Sequence, residues 1–377
     1  MIYLDHNGTT PIAPEAALAM RPFLEGAFGN PSSDYDLGRT ARTALEEARA
    51  RVAELIGAAP DEVVFTSGGT ESDNWALKGP FFRSEGPFHL IASRIEHPAV
   101  INPALFLMTL GAKVDFVRVG PDGAVDPEEV RGAIRPETKL ISIMTANNET
   151  GVLQPLEAIS RLARDRGILL HTDAAQAVGK IPLDVERLGV DLLTVAGHKL
   201  YAPKGVGALY IRRGLELEPL LHGAGQESGR RAGTENVLLA VGLGAAAEVC
   251  RRSMAVEAPR QAALRDRLVE LIARDWPSAV LVGRASPRLP NTVNICFPGL
   301  IGAELLARTP EIRASTGAAC HAGEVRISPV LGVMGLSSEV AGGAARLSLG
   351  RSTTAGDVDL AAAGLIRAAR ELAGRRG

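Results

Sequence analysis

The stretch Asp191-Leu192-Leu193-Thr194-Val195-Ala196-Gly197-His198-Lys199 decides the fold class of this 377-residue chain. Its apolar run is typical of a strand that is buried on both faces, and the run ends in the polar pair His198-Lys199. The chain has six lysines against thirty-five arginines, so a lysine at the end of a buried strand is a scarce residue in a special place. An earlier strand ends in a similar way, at His171-Thr172-Asp173-Ala174-Ala175-Gln176. Two buried strands therefore each deliver an ionisable side chain at one end.

Short apolar runs recur along the first 211 residues, with helical segments between most of them. The runs are 63–65, 90–92, 114–119, 140–144, 168–170, 192–195 and 206–211. Strands that alternate with helices predict the α/β class, with a mostly parallel sheet covered by helices on both faces. In such sheets ligands bind beyond the carboxyl ends of the strands. The polar residues that follow these strands are therefore the candidate site.

The pattern changes after about residue 250. A long helix rich in Ala, Arg and Leu is predicted there, followed by short strands at 279–282, 292–297 and 346–350 and a closing helix from Asp357. This indicates a large cofactor-binding domain over 13–250. Residues 1–12 and 251–377 are predicted to form a smaller α+β domain.

Composition narrows the class of protein. The chain is 46% hydrophobic and 22% charged, as in an ordinary globular protein with a sizeable core. A formal net charge of -2 gives no electrostatic reason to expect nucleic acid or an anionic membrane as partner. Neither a basic leader with an apolar core nor an apolar stretch of about eighteen residues is present, so we expect a cytoplasmic protein.

The three cysteines differ in their surroundings. Cys250, Cys296 and Cys320 show no C-x-x-C spacing and cannot all pair, so neither a disulfide framework nor a metal site is expected. Cys250 follows an Ala-rich helical run and Cys296 lies inside an apolar strand, so both are expected to be buried. Cys320 lies in the small, polar-edged segment 315–323 and is expected to be an exposed, mobile thiol.

The ionisable strand ends match the needs of one cofactor, pyridoxal phosphate (PLP). Its aldehyde needs an amine to form a Schiff base, and its pyridine nitrogen needs a carboxylate that keeps it protonated. Lys199 and Asp173 supply these two groups. Gln176 could reach the phenolic oxygen, and His97 could stack on the ring and serve as an acid or base.

A phosphate site is predicted at the turn after the strand at 63–65. Gly68-Gly69-Thr70 leads into a helix, so the backbone N–H groups of Gly69 and Thr70, the Thr70 hydroxyl and His198 can bind an anion. Taken singly, the candidate site residues have plainer explanations: His97 as a structural histidine, Asp173 as a helix cap and Lys199 as a surface lysine.

The occurrence of all the candidate residues in this order along the chain is far more specific than any one of them. A nicotinamide-dependent dehydrogenase is disfavoured because no G-x-G-x-x-G follows a strand.

Several motifs carry a family resemblance over almost the whole chain. They are Tyr3-Leu4-Asp5, Gly29-Asn30-Pro31-Ser32-Ser33, Phe65-Thr66-Ser67-Gly68-Gly69-Thr70-Glu71-Ser72, Asn147-Asn148-Glu149-Thr150-Gly151, Gly197-His198-Lys199, Gly233-Thr234-Glu235-Asn236 and Arg346-Leu347-Ser348-Leu349-Gly350-Arg351. With the Asp173 motif, they make the chain resemble the cysteine desulfurase and selenocysteine lyase family. This family is the class V aminotransferase branch of the type I PLP fold.

The resemblance implies a role for each matching position. It implies Lys199 as the Schiff-base lysine, Asp173, Gln176 and His97 around the ring, and Thr70 and His198 on the phosphate. Asn148 and Arg346 would hold the substrate, L-cysteine or L-selenocysteine, and Asn148 would also border the cofactor. Thr234 would complete the phosphate site of a neighbouring subunit, which implies a homodimer. Cys320 would take sulfur as a persulfide from a mobile loop and pass it to an acceptor protein.

The chain also departs from the commoner desulfurase pattern. Ala196 stands where a serine is usual, and Tyr35 where a histidine is often found. Together with Ala319-Cys320-His321, these departures look more like selenocysteine lyases. The primary hypothesis is a PLP-dependent cysteine desulfurase. The alternatives are a selenocysteine lyase, a PLP-dependent C–S lyase that needs no persulfide, and an inactive sulfur-assembly scaffold.

Overall fold

The computed structural model describes residues 1–316 and 327–374. Its strands are β1 (Ile2–Tyr3), β2 (Val63–Thr66), β3 (His89–Ser93), β4 (Lys113–Val117), β5 (Thr138–Ser142), β6 (Leu169–Asp173), β7 (Leu192–Ala196), β8 (Gly207–Ile211), β9 (Val280–Leu281), β10 (Thr292–Cys296), β11 (Ile312–Arg313) and β12 (Ala344–Ser348). Its α-helices are α1 (Pro14–Glu25), α2 (Asp36–Ile56), α3 (Gly69–Arg83), α4 (Pro98–Thr109), α5 (Pro127–Ala133), α6 (Leu156–Arg164), α7 (Val185–Leu188), α8 (Val237–Asp275), α9 (Gly302–Ala307), α10 (Pro329–Val333), α11 (Ser338–Ala341) and α12 (Ala355–Gly374). Short 3₁₀ turns lie at Pro60–Glu62, Gly197–Lys199 and Glu227–Gly229.

A seven-stranded sheet forms the centre of the fold, in the order β2-β8-β7-β6-β5-β3-β4. β8 runs antiparallel to β7 and β2, and the other neighbouring strands are parallel. Neighbouring residues of one strand belong to different hydrophobic clusters. Leu140 of β5 and Leu192 of β7 belong to one cluster, and the next residues, Ile141 and Leu193, belong to the other. Because side chains alternate across a strand, both faces of the sheet are covered. The predicted α/β class is confirmed.

The ends of the strands differ from the apolar runs that predicted them. β6 runs from Leu169 to Asp173, beyond the predicted apolar run, because its polar residues find partners inside the protein. The His171 ring nitrogen Nδ1 lies 2.8 Å from the Ser142 hydroxyl, and the Thr172 hydroxyl lies 2.8 Å from that of Thr145. Hydrogen-bonded polar side chains can be buried at little cost, so the strand continues into the site.

A second hydrophobic cluster surrounds the smaller sheets, β12-β10-β9 and β1-β11. It contains Leu4 from the N-terminal segment together with Val293 and Leu347. Helix α8 is continuous for 39 residues and begins at Val237, earlier than the predicted helix. It passes from the cluster against the central sheet, at Cys250, into the second cluster, at Leu268. The domain division at residue 250 stays a prediction.

No helix within residues 1–316 and 327–374 combines the length and the apolar composition that a membrane span requires.

Candidate active site

The end of β7 turns sharply so that Lys199 enters a cavity. Residues Gly197–Lys199 form a 3₁₀ turn, and Tyr201 then adopts a left-handed backbone with φ 69°. Such a conformation is costly for a residue with a side chain and needs outside support. Thr10 supplies it by accepting a hydrogen bond from the Tyr201 N–H at 2.8 Å, and the Tyr201 carbonyl accepts from Ala13 at 2.9 Å. The N-terminal segment therefore fixes the backbone next to the lysine.

The Lys199 amine is held by backbone oxygens. Its Nζ donates to the carbonyls of Asn7 at 2.6 Å and Gly8 at 2.8 Å. Burial lowers the pKa of Lys199 to about 8; the charge of Arg346 acts in the same direction, and the carboxylates of Asp173 and Asp5 oppose it. About one-tenth of the amine is therefore neutral at pH 7, far more than for an ordinary lysine, and the neutral form is the one that attacks a carbonyl carbon.

Asp173 lies at the end of β6 and is buried. Its Oδ1 accepts a hydrogen bond from the Ala175 N–H at 2.8 Å. Burial raises its pKa, while His97 and Lys199 act in the opposite direction. Two more buried acids lie close by, and burial also raises the pKa of Asp73 and brings that of Glu96 to about 8. Carboxylates kept out of water favour a cationic partner, such as a protonated ring nitrogen.

His97 and Gln176 are both oriented by backbone groups. The His97 Nδ1 accepts from the Ala99 N–H at 3.1 Å and so caps helix α4. This contact leaves the proton of the neutral ring on Nε2. Burial lowers the pKa of His97, which favours that neutral form. The Gln176 Nε2 donates to the Asn7 carbonyl at 3.0 Å.

The turn before α3 has the geometry of an anion site. Gly68 has φ 150° and ψ -178°, a region that side-chain-bearing residues rarely adopt. A Cβ atom on Gly69 would lie 3.2 Å from the Cβ of Ala196, so the turn packs closely on the end of β7. The Nδ1 of His198 lies 3.1 Å from the Thr9 hydroxyl, and burial lowers its pKa to about 4. His198 is therefore a neutral hydrogen-bonding group, and the helix N-terminus of α3 supplies the positive end of a dipole.

Arg346 on β12 is already paired with a carboxylate. Its NH2 group lies 2.6 Å from Asp5 Oδ1, and its NH1 donates to the Asn148 carbonyl at 3.3 Å. The Arg346 side chain is buried, and its Nε has no hydrogen-bond partner within the described part of the chain. A substrate carboxylate at this arginine would compete with Asp5.

A cavity of about 310 Å³ brings most of the predicted site together. Nine of the predicted residues line it: Gly69, Thr70, His97, Asn148, Asp173, Gln176, His198, Lys199 and Arg346. Thr234 is exposed and is not among the lining residues of its own chain. Cys320 lies outside the described residues. The role of each residue stays a prediction.

Five residues of the site were missed by the sequence analysis. Asn7 and Gly8 hold the lysine, Lys180 contacts Gln176, and Asp73 and Glu96 are the two further buried acids. The sequence could have pointed to the two acids, since Glu96 adjoins His97 and Asp73 lies one helical turn after Gly69. It could not have pointed to Asn7, because the contacts of Asn7 join segments that are far apart in the chain.

The groups around the cavity fit PLP. A neutralisable amine, a buried carboxylate and an imidazole face one space, and a helix N-terminus stands beside it. Burial raises the pKa values of Asp173 and Asp73, and a cationic ring nitrogen would stabilise the charged form of these acids. Gly69 and Thr70 line the same cavity, so a phosphate there would meet the N-terminus of α3.

Comparison with known proteins assigns the family. The class-V aminotransferase model matches residues 2–360, and the chain belongs to this family. A relative from Dictyoglomus turgidum, named cysteine desulfurase IscS, is 45% identical over 95% of this chain and 92% of its own length. The predicted family is therefore confirmed.

Solved structures agree with the fold. A structure named NifS-like protein matches with a TM-score of 0.90 at 35% identity, covering 99% of both chains. Another, named SspA in complex with cysteine, matches with a TM-score of 0.82 at 37% identity, covering 93% of this chain and 99% of that one. The fold is shared from end to end.

Proposed function

We propose that this protein is a PLP-dependent cysteine desulfurase. It converts L-cysteine to L-alanine and transfers the sulfur to Cys320 as a persulfide. One observation carries the proposal: the Lys199 amine and the buried Asp173 carboxylate line the same cavity as the turn at Gly69. The relative named cysteine desulfurase and the similar structure with cysteine support the substrate.

Each residue around the cavity has a place against the cofactor. Lys199 would bind its aldehyde carbon, Asp173 its ring nitrogen, Gln176 its ring oxygen and His97 its ring face. The phosphate would be held by the backbone N–H groups of Gly69 and Thr70, the Thr70 hydroxyl and His198. When bound, PLP supplies an electron sink for the negative charge left at the substrate Cα. Asn148 borders both the cofactor and the substrate.

The substrate is oriented by charge and deprotonated by the lysine. Arg346 binds the α-carboxylate in a bidentate pair after Asp5 yields its place. With the cofactor bound, Lys199 would take the Cα proton on Nζ. The Asp173 carboxylate would hold a proton on the ring nitrogen. His97 is neutral with its proton on Nε2, and because its Nδ1 accepts from the Ala99 N–H, it can take a second proton only if that cap is broken.

Sulfur transfer is assigned to Cys320. Its thiolate attacks the substrate sulfur, a Cys320 S–S bond forms, and the substrate C–S bond breaks with its electron pair left on Cβ. Alanine would be completed by a proton added at Cβ and by return of the Cα proton from Lys199 Nζ. Burial raises the pKa of both other cysteines, Cys250 and Cys296, to about 12, so neither is a ready nucleophile.

The described segment that precedes Cys320 in the sequence pairs with the strand that carries Arg346. Ser315 and Arg346 exchange two backbone hydrogen bonds, at 2.6 Å and 3.3 Å. Cys320 follows five residues later, and five extended residues span at most about 18 Å. This length of chain is compatible with the proposed role of Cys320 at the substrate.

The proposal includes a partner subunit and a sulfur acceptor. Thr234 is exposed, and Glu227 anchors the segment before it through a buried ion pair with Arg49. A firmly held exposed threonine suits a role in the cavity of a second copy, as a homodimer would provide. The acceptor is a protein that meets the Cys320 persulfide. A cytoplasmic location stays a prediction from the sequence.

Alanine release from L-cysteine and L-selenocysteine tests the function. We expect the PLP-loaded wild type to release alanine from cysteine, with repeated turnover only when a reductant removes the persulfide. Cys320→Ser should lose cysteine turnover, since a hydroxyl does not accept sulfur. Cys250→Ser is the matched control and should keep activity, because the Cys250 thiol is buried against the Leu200 carbonyl.

Each result has one meaning. A wild type that shows no yellow absorbance after PLP is added would refute the cofactor. Cysteine turnover retained in Cys320→Ser would refute the persulfide route and favour a C–S lyase. Turnover of selenocysteine alone would assign a selenocysteine lyase.

A further inference from the structure

A second lysine, Lys180, lies beside the cavity without a place in the proposed chemistry. It is half-buried and follows β6 by seven residues. Burial lowers its pKa to about 7, and the positive charge of Lys199 adds to this effect. Placing two lysines close together is unfavourable, so a compensating contact is expected.

Lys180 contacts the amide that faces the cofactor ring. Its Nζ donates to Gln176 Oε1 at 2.8 Å and to Asn7 Oδ1 at 3.4 Å. The other end of the same amide, Gln176 Nε2, donates to the Asn7 carbonyl at 3.0 Å. Gln176 is only 5% exposed and lines the cavity. An amide NH₂ has two hydrogens, so one N–H remains for a ligand.

These contacts fix which way the amide faces. If the Gln176 amide turned over, its oxygen would meet the Asn7 carbonyl and its NH₂ group would meet the Lys180 ammonium. Both hydrogen bonds would be replaced by contacts between like groups, in a buried site where unpaired polar groups are costly. Lys180 therefore selects the orientation that keeps the NH₂ group for the cavity.

We infer that Lys180 is a positioning residue, which holds Gln176 so that the amide donates a hydrogen bond to the ring oxygen of the cofactor. This inference rests on the proposed function. A donor at the ring oxygen would compete for that oxygen with the nitrogen through which Lys199 would hold the cofactor. It would therefore lower the pKa of that nitrogen.

Other charges act on Lys180 and must be kept constant in a test. The groups coupled to it electrostatically are Lys199, Arg346, Cys250, His6 and His198. Removing the Lys180 charge also changes the titration of His6 and His198, because Lys180 lowers the pKa of both. Lys180→Arg keeps that charge, and the Gln176→Ala background retains this charge effect while removing the amide.

The test is a pH titration of the yellow absorbance of the holoenzyme without substrate. Lys180→Met should raise the midpoint by about one pH unit, the size expected for one charge-assisted hydrogen bond. Lys180→Arg keeps the charge and the donors, and should restore the wild-type midpoint. Lys139→Met, at an exposed lysine, is the matched control and should leave the midpoint unchanged. If Lys180→Met does not fold, Lys180→Gln provides a second neutral side chain.

A double-mutant cycle separates positioning from a direct effect of charge. In a Gln176→Ala background, the Lys180→Met shift should fall to less than half of its size. A shift of full size there, or no shift in the single variant, would overturn the inference. Absence of yellow absorbance in the wild type would instead refute the proposed function.

Discussion

The buried carboxyl of Glu96 should make the stability of this protein depend on pH. Its Oε1 lies 2.5 Å from the Ser93 hydroxyl, and both of its oxygens accept from the Met144 N–H, at 3.0 Å and 3.1 Å. These contacts tie the end of β3 to the segment after β5. Burial raises the pKa of Glu96 from 4.5 to about 8, and the nearby Asp173 adds to the rise. The folded protein therefore keeps this proton at pH values where the unfolded chain has released it.

The direction and the size of this pH dependence follow from the difference in proton binding between the folded and the unfolded state. Below pH 4.5 both states hold the proton, so folding is not penalised. As the pH rises towards 8, stability falls by about 1.4 kcal/mol per pH unit, which amounts to about 5 kcal/mol in full and about 3 kcal/mol by pH 7. Glu96→Gln has no proton to release and keeps a carbonyl for the Met144 N–H. Its stability should escape this loss.

Urea unfolding of the cofactor-free protein, at about pH 5 and about pH 8, measures the effect. The stability of Glu96→Gln minus that of the wild type should grow by about 4 kcal/mol over this range. Asp73 and Asp173 titrate in both proteins, so most of their contribution cancels. Glu85→Gln, at an exposed glutamate, is the matched control and should show no growing difference. Equal differences at both pH values would refute the account of Glu96 as a buried, protonated acid.

Two further substitutions test the substrate site and the buried ion pair between Arg49 and Glu227. Arg346→Lys should raise the KM for cysteine roughly 10- to 100-fold and lower kcat less, because a bidentate pair worth about 1.5–3 kcal/mol is lost. Steady-state kinetics measures both constants. An unchanged KM would contradict the role of Arg346 in binding the substrate carboxylate. Glu227→Gln should lower the free energy of unfolding by about 3–5 kcal/mol, since it leaves the Arg49 guanidinium buried and half-paired. Denaturant unfolding measures this loss, and Glu25→Gln, in an exposed ion pair, should cost far less.

The sequence predicted the central sheet well because each strand carries its own signal. β7 and β8 are buried on both faces, so their residues are continuously apolar and the pattern is visible locally. The apolar pattern predicted only the first part of β6, because His171 and Thr172 are polar and nevertheless buried. Their hydrogen bonds come from neighbouring strands, and a single run of sequence does not show its neighbours.

By itself, the sequence determined the fold class and the pairing of Lys199 with Asp173, because strand ends in a parallel sheet meet at one edge. Only the tertiary structure showed what holds these residues. The carbonyl of Asn7 reaches Lys199 across 192 positions, and Asp5 reaches Arg346 across 341. Such contacts depend on how the N-terminal segment packs against the sheet, which local periodicity does not encode. The orientation of the Gln176 amide was likewise decided by donors and acceptors that meet only after folding.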